Sequence, residues 1–184
     1  MAFNATRQRV FNRGKPPESF LTELVVWGRS APDEIFERNN VTDIYSNVVG
    51  VLGPWVDLRH RRAAMLEVMR VLAGFESSWN WEAGVDRSNP DSNRPETMET
   101  GAFQVSANSM NFGQELKDLV FTKVGTLDAD AFRDAMKQDH QLAMEYVARL
   151  LRRTVNHHGP VKRHEIDEWL RRDAVDEFLI LLDQ

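Results

Sequence analysis

The chain has 184 residues, 42% of them hydrophobic, which is enough for one substantial core and too few for two domains unless both are small. Its formal net charge of −5 provides no general electrostatic attraction to nucleic acid. It contains no cysteine, which excludes disulfides and thiol chemistry and leaves the redox compartment open.

The opening run MAFNATRQRVFNRGKPP has no apolar stretch of signal-peptide length, and no segment approaches the roughly 20 apolar residues that span a bilayer. Membrane insertion is therefore not expected. Pro32 followed by Asp33, Glu34, Ile35 and Phe36 predicts a helix start, and Thr42 is the expected N-cap of a segment carrying Ile44, Tyr45, Val48, Val49 and Leu52. Gly53-Pro54 ends that segment, and a further helix starts near Asp57. Residues 77–101 are rich in Asn, Ser, Pro and charge and form a long loop, a length that in compact domains often carries function. Phe132, Ala135 and Met136 predict a short helix; Ala143, Tyr146, Val147, Leu150 and Leu151 predict a stronger one that ends before His158-Gly159-Pro160. Ile166, Trp169, Leu170, Ala174, Phe178 and Leu181 form a final amphipathic stripe. The expectation is a mainly α fold: residues 1–56 as an N-terminal helical extension packed on a core of residues 57–184.

The helix that starts near Asp57 ends on chemistry. Met65, Val68, Met69 and Leu72 fall on one helical stripe, and Glu76 continues it. A carboxyl on an apolar stripe loses water, which penalises its ionised form and raises its pKa from the free value of about 4.3 toward the range useful to a general acid. A glutamate closing a helix is ordinarily a solvated end residue or a partner for arginine. Here Ser77, Ser78, Trp79, Asn80 and Trp81 follow it and supply hydroxyl, amide and flat aromatic surfaces suited to sugar rings, although a tryptophan taken alone is more often core packing.

An apolar helix, then Glu76-Ser77-Ser78-Trp79-Asn80, a polar loop and Gly101-Ala102-Phe103-Gln104-Val105 resembles the lysozyme superfamily, in particular goose-type lysozymes and soluble lytic transglycosylases. The likeness covers residues 62–110 and, more weakly, the helix around Ala143, Tyr146, Leu150 and Leu151. It implies a lysozyme-like helical domain with a small β-hairpin or irregular lobe over a substrate groove. It further implies cleavage of the β-1,4 bond between N-acetylmuramic acid and N-acetylglucosamine in peptidoglycan. Glu76 takes the place of the catalytic acid, and Gln104 that of a glutamine lining the groove. Ser77, Trp79, Asn80 and Tyr146 join it as expected substrate contacts. The Tyr-Asn-Ala-Gly signature of lytic transglycosylases has no counterpart in TVNHHGPVKRHEI, and Pro95-Glu96-Thr97-Met98-Glu99-Thr100 replaces a less acidic family stretch.

Glycoside hydrolysis needs a second carboxylate, about 5 Å from the acid as nucleophile or roughly 6.5–9.5 Å away as base for a water. Glu99, just before the glycine segment, and Asp86, at a spacing that resembles goose-type enzymes, are favoured; Asp91 and Glu96 are expected on a solvated turn. Without a second carboxylate, the muramic acid's own hydroxyl attacks and leaves an anhydro sugar. Hydrolase and transglycosylase both remain open.

No cofactor and no metal are expected. DRSNPDSNRPET has Pro90 at a ligand position of a calcium loop and lacks its glycine, and His157, His158 and His164 fit no zinc spacing and are expected at the surface or a helix end. Seven basic residues between Arg149 and Arg172 (Arg149, Arg152, Arg153, Lys162, Arg163, Arg171, Arg172) read as a solvated face that can also favour an anionic wall. The expected partner is peptidoglycan or a related polysaccharide, with no nucleic acid, and an immunity or inhibitor protein would suit the groove. A chain made in the cytoplasm without a signal peptide reaches the wall by phage-type release or non-classical export. The alternatives are a chitinase or chitosanase of the same fold and a non-catalytic carbohydrate-binding or structural module.

Overall fold

The computed structural model describes residues 1–39, 41–84 and 92–184, and these are mainly helical. α1 (Glu18–Ser30) packs on α3 (Leu58–Ser77), the longest helix, and α8 (Arg172–Leu182) lies along α3. α6 (His140–Arg153) packs against α1, against α4 (Gln114–Val124) and against α5 (Ala129–Gln138), and α2 (Ile44–Leu52) and the short α7 (Gly159–Lys162) complete the set. One buried cluster runs from Val10 through α1, α3 and α6 to Leu181. Among the described residues no helix is long and apolar enough to cross a membrane.

Local chemistry sets the ends of α2 and α3. The Asp57 carboxylate caps α3 by accepting from the His60 amide at 2.7 Å. Asp43, not the expected Thr42, caps α2: it accepts from the amides of Tyr45 and Ser46 and also pairs with Arg152 at 2.9 Å. The expected helix start after Pro32 is only a 3₁₀ turn, Asp33–Ile35. Its continuation is blocked because Arg152 donates to the carbonyls of Ile35 and Glu37, and Arg61 to those of Phe36 and Glu37. The carbonyls a helix would use are already taken. The final stripe is likewise broken into a 3₁₀ turn, Asp167–Trp169, and α8, with Leu170 extended between them.

The lobe after α3 contains no strand among the described residues. In place of a β-hairpin there is one isolated antiparallel bridge, Thr100 to Val105, closing a loop with Gly101 at φ +71° and Gln104 at +45°. The 3₁₀ turns Pro95–Thr97 and Ala107–Phe112 flank it. Six of the seven basic residues are engaged: Arg149, Arg152, Arg153, Arg163 and Arg171 each pair with an acid, and Arg172 donates to the Val51 carbonyl, while Lys162 is exposed.

α3 terminates with Ser78 and Trp79 both in the left-handed region, φ +57° and +61°. Their amides close on the carbonyls of Gly74 and Ala73 at 3.1 and 3.0 Å. The reversal folds the Trp79 indole back under the helix, where Nε1 donates to the Arg70 carbonyl at 2.8 Å. Gly74 makes room for it, since a Cβ there would lie 2.7 Å from Trp79 Cζ2. Gly74→Ala gains about 1 kcal/mol of helix propensity, and overpacking costs about 1–3 kcal/mol. A melting temperature lowered by a few degrees is expected, and an unchanged one would mean that the indole moves aside freely.

Candidate active site

Glu76 sits on the last turn of α3 with 18% of its side chain open. Burial pushes its carboxyl up to about 8, against the pull of Arg163 and Arg13, with Glu165 adding to the rise. His158 Nδ1 lies 3.3 Å from Glu76 Oε1, and burial pushes the imidazole down to about 4. At pH 7 the pair is therefore a protonated carboxyl beside a neutral imidazole. His158 Nε2 is buried and has no hydrogen-bond partner among the described residues.

Two hollows are lined by sequence neighbours of this pair. The His157 ring meets that of His158 edge-on at 4.8 Å, and burial, helped by His158, pushes it down to about 3. His157 lines a hollow of about 500 Å³ together with Glu99, Thr97, Asn108, Asn111 and Asn156. Phe75, the residue before Glu76, lines a second hollow, of about 460 Å³, with Phe11, Arg13, Pro160, Glu165, Glu168 and Trp169. Glu76 lines neither hollow itself. It connects to the first through His158 and His157, and to the second through Phe75 and the charges of Arg13 and Glu165.

The other expected site residues are distributed unevenly. Glu99 is half-buried and lines the first hollow. Ser77 Oγ donates to the Ala102 carbonyl at 2.8 Å and accepts from the Asn80 amide at 3.0 Å, tying the end of α3 to the glycine segment. Asn80 is exposed, with Oδ1 accepting from the Glu82 amide. Three expected sugar contacts are corrected by their burial. Trp79 is core, 4% exposed and bonded to Arg70. Tyr146 is fully buried, its hydroxyl 2.6 Å from Ser109 Oγ and its ring against Phe132. Gln104 is 7% exposed and donates its side-chain amide to the Gly101 carbonyl at 3.0 Å inside its own turn. Asp86 and Asp91 lie outside the described residues. Glu96 is exposed and lines a separate hollow beside Asp128.

His158 was expected at the surface or a helix end; it directly precedes α7, at a helix end, and is 3% exposed, packed on the acid instead of facing solvent. Neither it nor Phe11 and Arg13 carries a local signal, because each reaches Glu76 only through tertiary packing. Among the described residues no group of three His, Asp or Glu side chains is arranged to hold a metal ion. No protein-family model, no curated protein and no solved structure matches the chain.

Proposed function

We propose that the chain is a peptidoglycan-degrading glycosidase in which Glu76 is the general acid for the β-1,4 bond after N-acetylmuramic acid, on a lysozyme-like helical scaffold with an irregular lobe beside the groove. The observation that carries this reading is the place of the Glu76 carboxyl, only 18% open on the last turn of α3 with the buried His158 imidazole 3.3 Å away, where burial pushes its titration up to about 8. A protonated carboxyl beside a neutral imidazole has a proton to give to a departing sugar oxygen, and the imidazole does not compete as a cation. Glu99 in the adjoining hollow is the second carboxylate of this scheme, as base or nucleophile.

One observation favours a second reading. Glu76 lines neither hollow and has His158 against it, which suits a non-catalytic module that holds glycan without cutting it. Mass spectrometry of purified peptidoglycan incubated with the protein separates the two. New reducing ends indicate hydrolysis, anhydro ends indicate intramolecular attack by the muramic hydroxyl, and retention of the protein on glycan without product would end the enzyme reading.

A further inference from the structure

Near the start of α3, about 22 Å along the helix from Glu76, the chain buries a charge that no acid neutralises. Arg61 is 5% exposed, and among the described residues it pairs with no carboxylate. Its guanidinium donates to two backbone carbonyls, Phe36 from Nε and Glu37 from Nη2, which leaves Nη1 without a hydrogen bond among the described residues. The Tyr45 ring lies against the guanidinium at 3.6 Å, and the Tyr45 hydroxyl donates to the Arg61 carbonyl at 2.7 Å. The fork is thus held in one orientation before anything binds, so little freedom remains to be lost on binding. Buried charges are ordinarily paired, because water no longer stabilises them. Here burial lowers the pKa of Arg61, and although Tyr45 and Asp43 oppose that change, Arg152 and Arg38 add to it.

Arg61 lines a hollow of about 530 Å³ together with Arg38, Tyr45, Val49 and Trp55. Arg38 is exposed and has no ion pair among the described residues. Asp43 is the one acidic residue lining the hollow, and its carboxylate is already used: it accepts from the amides of Tyr45 and Ser46 and from Arg152 Nε. Glu37, beside Arg38 in sequence, and Asp57, the cap of α3, do not line it. With Arg152 balancing Asp43, Arg38 and Arg61 set the charge of the hollow. Its rim is apolar: Val41, Val49 and Pro54 are exposed there, and Val56, next to Trp55, is 78% exposed. A small anion would use the guanidinium and leave the valines wet, whereas a protein segment covers both. Rigid Arg, Tyr and Trp side chains at the centre of a patch are also the groups that carry most of the affinity at protein interfaces.

We propose that this hollow is a docking site for a partner protein that places an Asp or Glu carboxylate on Arg61 and Arg38 and lays flanking apolar side chains on Val41, Val49 and Trp55. The carboxylate supplies the counter-charge that Arg61 lacks within its own chain. The hollow shares no lining residue with the two near Glu76, so the proposal goes beyond the glycosidase reading and stands or falls apart from it.

The test is selection of a random dodecapeptide library on the full chain, followed by calorimetry of the selected peptides. Those peptides are expected to share an Asp or Glu flanked by apolar residues. Replacing that acid with its amide should weaken binding about tenfold or more, as loss of a charge-assisted pair implies. Arg38→Gln and Val49→Glu, both at exposed positions, should each weaken binding several-fold, and Arg61→Met should abolish it. Circular dichroism checks the fold of the Arg61 variant, and if that variant is unfolded the two exposed substitutions decide the matter. Inorganic phosphate and free glutamate serve as small-anion probes. An empty selection, selected peptides without an acid, unchanged binding to Arg38→Gln or to Val49→Glu, or a small anion bound as tightly as the peptides would overturn the docking site.

Discussion

Replacing Glu76 with Gln is expected to lower the rate of peptidoglycan cleavage by about 10²- to 10⁴-fold, the usual contribution of a positioned general acid. The substitution keeps shape and hydrogen-bonding capacity, so circular dichroism and elution volume should not change. The unaltered protein should lose kcat/KM as pH rises through about 8, where the free acid gives up its proton. A variant that keeps more than a tenth of the original rate would show that the proton comes from elsewhere.

The same residue links stability to pH with a fixed sign. The Glu76 carboxyl holds its proton to about 8 in the folded chain and only to the ordinary value of 4.5 when unfolded. Between those values the unfolded chain binds fewer protons, so folding stability falls as pH rises from 4.5 toward 8 and levels off above it. Gln at position 76 carries no such cost. Urea melts should show the variant and the parent equally stable at pH 4, and the variant ahead by roughly 3 kcal/mol at pH 7, at about 1.4 kcal/mol per pH unit. Parallel curves from pH 4 to pH 9 would mean that the carboxyl is hydrated and ordinary. A carboxyl that destabilises the chain at neutral pH is better explained by a task than by packing.

How much of this was legible in the residues depended on range. The helix that ends on Glu76 was readable because its signals are local: Asp57 at its start and an apolar stripe through Met65, Met69 and Leu72. The helix through Ala143, Tyr146 and Leu150 was readable for the same reason. α1 offered Phe20, Leu21, Leu24, Val25 and Gly28 at helical spacing, and α4 offered Leu116, Leu119, Val120 and Val124, yet neither helix is part of the resemblance. The fate of Trp79 was not readable, because a tryptophan after Glu-Ser-Ser looks the same whether it faces sugar or core. The left-handed turn at Ser78 and Trp79 decides that, together with the carbonyl of Arg70. Tyr146 sits on a correctly read helix, but its apolar stripe faces Phe132 and Ser109 inside the core.

The largest loss of stability is expected at a pair of charges one turn apart in the middle of α3. Glu67 and Arg70 are both fully buried and bonded through two parallel contacts, 2.6 Å from Nε and 2.7 Å from Nη2. Burial pushes the Glu67 carboxyl up and Arg70 pulls it back. The remaining hydrogen bonds of the pair reach three residues in two other parts of the chain. Glu67 accepts from the Arg171 amide at 2.9 Å at the start of α8, and Arg70 donates to the carbonyls of Gln8 and Trp169. Removing one partner leaves the other as an uncompensated buried charge, so Glu67→Ala is expected to cost about 3–5 kcal/mol. For a chain of this length that lowers the melting temperature by roughly 10 °C or more. Combining Glu67→Leu with Arg70→Met removes both charges and fills their volume, so the double variant should be more stable than Glu67→Ala, though short of the parent because the Gln8, Trp169 and Arg171 groups lose their partners. A double variant as unstable as the single one would assign the pair's contribution to its hydrogen bonds to Gln8, Trp169 and Arg171, with the charges themselves contributing little.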